Sequence, residues 1–117
     1  MPGLGELERA IMEVLWRAGT PCTAKEVQDA LVGRDARDLA TTTVLTVLSR
    51  LERKALVARE RNGRAHSYTA VATREDHIAE LMNDALGTTP DRTAALARFL
   101  GGMGESERDA TRRLLDP

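Results

Sequence analysis

The sequence has little cysteine and few aromatic residues: among 117 residues there are one cysteine, Cys22, and three aromatic residues, Trp16, Tyr68 and Phe99. A single cysteine excludes an internal disulfide and favours a reducing cytoplasm. With so few aromatic rings, the core must consist mainly of aliphatic side chains. No apolar run reaches about 18 residues and the N-terminus lacks a signal-peptide pattern, so we expect a cytoplasmic protein with no membrane insertion.

Recognisable catalytic and metal-binding patterns are also absent from the sequence. His66 and His77 have no neighbour at metal-ligand spacing, so we interpret His66 as a strand residue and His77 as a helix-surface residue. The glycines of residues 101–104 are not followed by the Lys-Ser/Thr of a phosphate loop, and no nucleophile elbow or zinc-protease motif is present. The sequence therefore predicts no enzyme, no catalytic residue, no metal and no cofactor.

Charge is unevenly distributed along the chain. The whole sequence has a net charge of −1, yet residues 50–64 contain six basic and two acidic residues. A local patch, more than the average charge, sets the electric field at a binding surface. An acidic protein can therefore present a basic site to nucleic acid.

The most informative stretch is residues 40–54, which has the period of an amphipathic helix. One arc of about 100° on a helical wheel holds only apolar residues: Val44, Val47, Leu48 and Leu51. The opposite side is short, polar and basic, with Thr42, Thr46, Ser49 and Arg53 on it and Thr43 and Arg50 flanking them. Such a face suits a helix in the major groove of DNA, where side chains read base edges and touch phosphates. An ordinary amphipathic surface helix explains this stretch alone equally well.

Two helices are predicted before that stretch. The first has an apolar residue every three or four positions between Leu4 and Trp16, with Gly5 as N-cap and Gly19 at its end. After a turn at residues 20–22, Thr23 and Glu26 form a capping-box pattern that begins a helix running to about Leu31. A polar loop then contains Gly33, Arg34, Asp35, Arg37 and Asp38. Two helices, a connection and a polar, basic third helix make a helix-turn-helix arrangement.

A β-hairpin is predicted directly after the third helix. Asn62-Gly63 lies between two strand-like runs, residues 56–61 and 64–69, and is a strong hairpin signal. With Asn62-Gly63 as the two-residue turn, the expected pairs are Arg61 with Arg64, Arg59 with His66, and Val57 with Tyr68. Like charges crowd the tip, which destabilises a hairpin unless the tip meets an anion. A helix-turn-helix with a basic hairpin is a winged helix.

After Val71 the sequence predicts three short amphipathic helices, the first capped by Thr73 and closed by Gly87. Helices of this length cannot form a core of their own and need either the winged domain or a second copy of the chain. We therefore predict two domains, a winged-helix DNA-binding domain at 1–72 and a helical dimerisation domain at 73–117. The predicted dimer-interface residues are Ile78, Leu81, Met82, Leu96, Phe99, Leu100 and Leu114.

The predicted fold class is α+β and mostly helical, and the predicted partner is double-stranded DNA. The predicted DNA-binding residues are Thr41, Thr42, Thr43, Thr46, Arg50, Arg53, Arg61 and Arg64. A winged-helix protein–protein interaction module, with the basic wing on an acidic partner, is the alternative. The clustered threonines favour DNA, and a salt titration of binding to duplex DNA separates the two hypotheses.

The chain resembles the bacterial penicillinase repressor family, which includes the β-lactamase and methicillin-resistance repressors. The resemblance covers the whole chain and rests on four motifs: LGELERAIMEVLW at 4–16, TAKEV at 23–27, TVLTVLSRLERK at 43–54 and RNGRAHSY at 61–68. The abundance of alanine and arginine suggests an actinobacterial member. Ala55 stands where the family usually has glycine, and Leu45 stands where some relatives have a basic residue.

The resemblance implies a homodimeric repressor that binds a pseudo-palindromic operator. The half-sites should lie about one helical turn apart, roughly 34–36 Å, or a multiple of it. In the family, a membrane sensor detects β-lactam, and the repressor is then inactivated by proteolysis. The sensor-protease or a downstream protease is therefore a candidate partner. The cleavage position of relatives, between asparagine and phenylalanine, corresponds here to Arg98 and Phe99.

Overall fold

The computed structural model describes residues 4–35 and 39–116 of the chain. Within them, nine elements follow in the order α1 (Glu6–Ala18), β1 (Cys22–Thr23), α2 (Ala24–Asp35), α3 (Thr41–Arg53), β2 (Val57–Asn62), β3 (Ala65–Ala70), α4 (Arg74–Leu86), α5 (Arg92–Gly101) and α6 (Glu105–Leu115). The predicted winged helix followed by further helices is confirmed. The chain divides into two compact units, Met1–Ala79 and Glu80–Pro117. The functional assignment of residues 1–72 and 73–117 to two domains stays a prediction.

α1 begins and ends where its sequence predicts. Gly5 is the N-cap, and the Glu8 carboxylate accepts a hydrogen bond from the Gly5 amide at 3.1 Å. Gly19 closes the helix with φ at 65°, a left-handed conformation that glycine adopts without steric cost. The apolar face of α1 supplies four residues to the core: Ile11, Met12, Val14 and Leu15.

The capping box predicted for α2 is confirmed. The Thr23 hydroxyl accepts a hydrogen bond from the Glu26 amide at 3.1 Å, and the Glu26 carboxylate accepts one from the Thr23 amide at 2.9 Å. These two bonds satisfy backbone donors that the first turn of a helix otherwise leaves free.

α2 is longer than predicted. It continues to Asp35, so the placement of Gly33, Arg34 and Asp35 in a loop was wrong. A glycine inside a helix costs only about 1 kcal/mol relative to alanine, which does not end a helix held by buried residues such as Leu31. Arg37 and Asp38 of the predicted loop lie outside the described residues.

The sheet contains a strand that the sequence did not predict. β1 overlaps the turn predicted at residues 20–22. It pairs with β3, with Cys22 opposite Tyr68 and Thr23 opposite Ser67. The strand order is β1-β3-β2, and all neighbours are antiparallel. Two residues are too few to show a period in the sequence, so only pairing with β3 defines this strand.

The hairpin forms as predicted but in a different register. Asn62 pairs with Ala65, so the turn residues are Gly63-Arg64 and the predicted Asn62-Gly63 turn was wrong. Gly63 has φ at 70°, and Arg64 is not among the described residues with positive φ. A turn with positive φ only at its first central residue is a type II′ turn, and this turn type takes glycine at that residue.

The register change also alters the predicted cross-strand pairs. Arg61 lies opposite His66, Arg59 opposite Tyr68 and Val57 opposite Ala70. Each partner has moved by two residues, which keeps every side chain on its predicted face because the strand period is two. Val57 and Tyr68 are therefore still buried in the core, as predicted.

The core of the first unit lies between the helices α1 to α3 and the sheet. It is almost entirely aliphatic, with Tyr68 as the one aromatic residue among the described residues of the buried cluster. The largest side chains that are fully buried come from the three helices: Ile11, Met12, Val27, Leu31, Val44, Leu48 and Leu51.

α3 ends in a Schellman motif in which Ala55 takes the position that normally holds glycine. The Leu56 amide donates to the Leu51 carbonyl at 3.0 Å, and the Ala55 amide donates to the Glu52 carbonyl at 2.9 Å. Ala55 has φ at 63° and is the only non-glycine residue with positive φ in the described part of the chain. Buried Leu51 and Leu56 hold this turn in place.

α4 begins at a second capping box, as Thr73 predicted. The Thr73 hydroxyl accepts a hydrogen bond from the Asp76 amide at 3.1 Å, and the Asp76 carboxylate accepts one from the Thr73 amide at 3.2 Å.

The first turn of α4 contacts α1 through a cluster of polar and aromatic side chains. Arg74 makes a bidentate ion pair with Glu13, with Nε to Oε1 at 3.0 Å, and its guanidinium lies 5.6 Å from the centre of the Trp16 ring. This hydrogen bonding to Glu13 raises the pKa of Arg74. Trp16 donates to the Ala72 carbonyl at 3.1 Å. His77 is buried with its ring 5.6 Å from that of Trp16, so its prediction as a surface residue was wrong.

The second unit contains no buried residue between 80 and 116. Asp91 caps α5 by accepting a hydrogen bond from the Ala94 amide at 3.0 Å, and Arg108 of α6 donates to the Gly101 carbonyl at 3.1 Å. Large apolar side chains remain exposed in this unit: Met82, Leu96, Phe99, Leu100, Leu114 and Leu115. That these helices are covered by a second copy of the chain stays a prediction.

The left-handed backbone at Ala55 predicts that Ala55→Gly stabilises the protein. A left-handed alanine costs roughly 1–2 kcal/mol, and the greater freedom of glycine in the unfolded chain offsets about 0.4–1 kcal/mol of the gain. The free energy of unfolding, measured by urea titration, should rise by up to about 1 kcal/mol.

Ala58→Gly in β2 is the matched control, because Ala58 is exposed and has no positive φ. It should lose about 0.5–1 kcal/mol. A loss of stability in Ala55→Gly similar to that in the control would contradict the prediction.

Candidate nucleic-acid interface

α3 buries one face and exposes the other, as its sequence predicts. Val44, Leu48 and Leu51 have no exposed surface, and Val47 is 4% exposed. Five of the predicted DNA-binding residues are exposed on this helix: Thr42, Thr43, Thr46, Arg50 and Arg53. The packing of the apolar stripe therefore fixes which side chains point outward. Contact of these residues with DNA stays a prediction.

Thr41, also predicted to bind DNA, is half-buried and hydrogen bonded within the protein. Its hydroxyl donates to the Gln28 side-chain oxygen at 2.6 Å, and the Gln28 amide group donates to the Leu39 carbonyl at 2.6 Å. Gln28 on α2 thus fixes the chain that enters α3. A single glutamine on a helix carries no sequence signal for this role, because its partners lie 11 and 13 residues away.

The other end of α3 is held by an ion pair that the sequence analysis did not predict. Lys54 lies 2.8 Å from Glu8 on α1, and the Glu8 side chain is 13% exposed. The hydrogen bond from Lys54 is the main cause that lowers the pKa of Glu8. Glu8 therefore caps α1 and also anchors the C-terminal end of α3.

Some of the basic residues of 50–64 are neutralised by ion pairs with acidic side chains. Lys54 is paired with Glu8, and Arg59 lies 3.6 Å from Glu52. Four arginines of this stretch take part in no ion pair with any described residue: Arg50, Arg53, Arg61 and Arg64. These four are also the arginines that the sequence analysis selected for DNA.

The wing presents its arginines at and beside the turn. Arg61 is exposed on β2 and donates from Nε to the Gly63 carbonyl at 3.3 Å, and Arg64 is exposed in the turn. Because Arg61 faces His66 across the hairpin, the like charges expected opposite each other are separated along the strand. The tip remains basic without a direct arginine–arginine pair.

The described residues include no group of three His, Cys, Asp or Glu side chains that could hold a metal ion. Cys22 is buried, and this burial raises the pKa of its thiol. Within the described ranges, no helix has both the length and the apolar character needed to cross a membrane.

The predicted interface and cleavage residues lie on the helices after the wing. Ile78, Met82, Leu96, Phe99, Leu100 and Leu114 are exposed, and Leu81 is half-buried. Arg98 and Phe99 lie inside α5 with exposed side chains. Neither the interface nor the cleavage position is tested by a single chain.

Comparison with known proteins gives matches over nearly the whole chain. The model of the penicillinase repressor family matches residues 4–117. The transcriptional regulator BlaI of Mycobacterium tuberculosis is 49% identical over 115 residues, which are 96% of this chain and 82% of that protein.

Two solved structures extend the similarity to the winged domain. The DNA-binding domain of the repressor BlaI superimposes with a TM-score of 0.54 at 25% identity, over 64% of this chain and 88% of that one. The monomeric form of Bacillus licheniformis BlaI, in complex with the blaP half-operator, gives a TM-score of 0.51 at 25% identity over the same shares.

The ion pair between Glu8 and Lys54 predicts a specific dependence of stability on pH. Because the pKa of Glu8 is lowered on folding, its contribution is complete above the ordinary value of 4.5 and is lost as the pH falls through the lowered value. Glu8→Gln removes this titration and keeps an oxygen for the Gly5 amide. Below pH 4.5, the free energy of unfolding should fall less steeply in Glu8→Gln than in the wild type.

Urea titrations at neutral pH and at steps below pH 4.5 measure this difference. Glu60→Gln on β2 is the control, since Glu60 is exposed and has no described ion pair. It should keep the wild-type slope. Equal slopes for Glu8→Gln and the wild type would show that the ion pair does not stabilise the fold.

Proposed function

The chain belongs to the penicillinase repressor family and is a DNA-binding transcriptional regulator, not an enzyme; from this we propose that it represses its target genes as a homodimer on a pseudo-palindromic operator. Each winged domain binds one half-site, with the half-sites about one helical turn apart, roughly 34–36 Å, or a multiple of it. The target genes encode β-lactamase or other responses to cell-wall stress.

The observation that carries this proposal is the arrangement of charge and shape on α3 and the wing. α3 has a buried apolar stripe, small hydroxyl side chains outward and two arginines without an ion pair among the described residues. Small side chains allow the helix backbone to approach base edges, while arginines reach phosphates. Arg61 and Arg64 extend the basic surface to the adjacent backbone or minor groove. The complex of the monomeric Bacillus licheniformis relative with a half-operator supports binding of one chain to one half-site.

We assign dimerisation to the helices that follow the wing. Residues 80–116 include no buried residue, yet expose six large apolar side chains. An exposed apolar surface of this kind marks a protein interface. Two linked half-site contacts also raise affinity by a factor of 10² or more over one contact, as effective-concentration arguments indicate. The homodimer thus explains the exposed surface, and it predicts a higher operator affinity than one chain has alone.

We further propose that β-lactam signalling releases the repressor by cleavage between Arg98 and Phe99. A membrane sensor-protease, or a protease downstream of it, makes the cut. The position lies in the last turns of α5, and a protease needs an extended substrate, so this turn must open first. Gly101 and Gly102 follow directly and lower the cost of opening, since glycine is a poor helix former. The cut removes α6 and part of α5 from the interface.

Wing contacts predict a change in the salt dependence of DNA binding. Arg61→Ala and Arg64→Ala should each weaken binding to all duplex sequences alike and lower the slope of log K against log salt by about 1. Fluorescence anisotropy over a salt series measures both quantities. Arg92→Ala in α5 is the control and should keep the wild-type slope. If the wing variants also keep it, the wing does not touch DNA, and a protein–protein role for the winged domain is favoured.

Burial of α5 between two chains predicts that Phe99→Glu dissociates the dimer. Sedimentation velocity at micromolar concentration should show a dimer for the wild type and a monomer for Phe99→Glu, whose operator affinity should fall by a factor on the order of 10². Ala94→Glu lies on the opposite side of α5 and should stay dimeric. A monomeric wild type with tight operator binding would count against the proposal.

Local opening of α5 predicts that Gly101→Ala slows release. Alanine adds about 1 kcal/mol to helix stability, which corresponds to about a fivefold slower cleavage when opening limits access. Mass spectrometry of the repressor from β-lactam-treated cells measures the fragments that end at Arg98 and begin at Phe99. Gly33→Ala in α2 controls for general stabilisation and should not slow the cut. An intact chain together with full derepression would reject cleavage.

A further inference from the structure

One apolar side chain lies on the outward side of α3. Leu45 is 39% exposed, whereas the four residues of the buried stripe are at most 4% exposed. On the helical wheel, Leu45 lies outside that stripe and beside Thr42 and Ser49. Its side chain has no polar atom, so it can neither donate to nor accept from a base or a phosphate.

The hydroxyl group of the next residue, Thr46, is already hydrogen bonded within α3. Its hydroxyl donates to the Thr42 carbonyl of the same helix at 2.9 Å. A hydroxyl has one donor hydrogen, and this hydrogen bond uses it. To a partner outside the helix, the exposed Thr46 can therefore offer its γ-methyl group and a hydroxyl oxygen that acts only as an acceptor.

Among the groups in the major groove, the methyl group of thymine is the one that matches an exposed apolar group. Every base-pair edge presents hydrogen-bond donors or acceptors there, but only thymine also presents a methyl group. An apolar side chain against an unpaired polar edge leaves that edge without a partner, which costs free energy. Against a thymine methyl, the same side chain removes apolar surface from water.

We propose that Leu45 and the γ-methyl of Thr46 read the 5-methyl groups of thymine, so that the centre of α3 selects A·T pairs by apolar contact. This inference rests on the proposed function, in which the outward face of α3 lies in the major groove. It assigns Thr46 a different role from that of a hydrogen-bond donor to bases, which its residue type alone suggests.

Deoxyuridine substitution tests the proposal from the DNA side. High-affinity duplexes are selected with the full chain from a random pool, and each thymine is then replaced by deoxyuridine, which lacks only the methyl group. At one or more thymines in each half-site, affinity should fall about threefold to fourfold, the effect of burying one methyl group. This loss should shrink in Leu45→Ala or Thr46→Ser. Selected duplexes without a sensitive thymine, or losses that persist in both variants, would overturn the proposal.

Two substitutions at residue 46 test it from the protein side. Thr46→Val keeps the methyl and removes the hydroxyl, whereas Thr46→Ser keeps the hydroxyl and removes the methyl. Thr46→Val should bind the selected duplex about fourfold more tightly than Thr46→Ser. The reverse order would mean that the hydroxyl makes the contact and would reject methyl readout. Both side chains are exposed, and thermal melting confirms that the variants are folded.

Arg50→Ala separates this proposal from the proposed function. If Arg50→Ala weakens binding while deoxyuridine and the residue 46 variants have no effect, α3 binds DNA and only thymine readout is rejected. If no duplex is selected and Arg50→Ala has no effect on DNA binding, the placement of α3 in the groove fails as well.

Discussion

The packing of the apolar stripe of α3 against α1 and α2 is the interaction on which the outward, basic surface of this helix depends. Four residues of α3 are at most 4% exposed, so the helix cannot rotate about its axis without exposing leucine and valine to water. Burying a leucine or valine contributes about 1.5–3 kcal/mol each. This fixed rotation turns Thr42, Thr46 and Arg53 outward. Gln28 at one end of α3 and Glu8 at the other then fix its position along its axis.

Charge pairing explains how a protein with a net charge of −1 can present a basic surface. Acidic residues near α3 neutralise particular basic side chains: Glu8 pairs with Lys54, and Glu52 with Arg59. The four arginines of residues 50–64 without such a pair among the described residues lie on the outward face of α3 and at the wing tip. Average charge therefore predicts little about binding, because phosphates respond to the nearest charges within the roughly 10 Å screening length.

The two units differ in how far they bury their apolar residues. The first buries an aliphatic core with its own helices and sheet, whereas residues 80–116 include no buried residue. A short unit is hard to stabilise alone, because the fraction of surface that a chain buries on folding becomes smaller as the chain becomes shorter. We infer that dimerisation completes the fold of this unit, so that a cut within α5 would remove both structure and assembly. Repression and its release would then depend on the same apolar surface.

The sequence alone determined the helix and hairpin order, the caps at Gly5, Thr23 and Thr73, and the rotation of α3. Each follows from local rules or from the 3.6-residue period, which act within one turn or one helix. The family could also be recognised from short motifs. The exposed arginines of α3 follow from the same period, and those of the wing follow from their position beside the predicted hairpin turn.

Only the tertiary structure decided the features that depend on residues far apart in sequence. β1 exists because Cys22 pairs with Tyr68, and the hairpin turn lies at Gly63-Arg64 in a register that pairs Tyr68 with Arg59 on its other side. The ion pairs of Glu8 and Glu13 join residues 46 and 61 positions away, and burial of His77 requires Trp16 beside it. No period or motif encodes such contacts, since they form only when packing brings separate elements within a few ångströms.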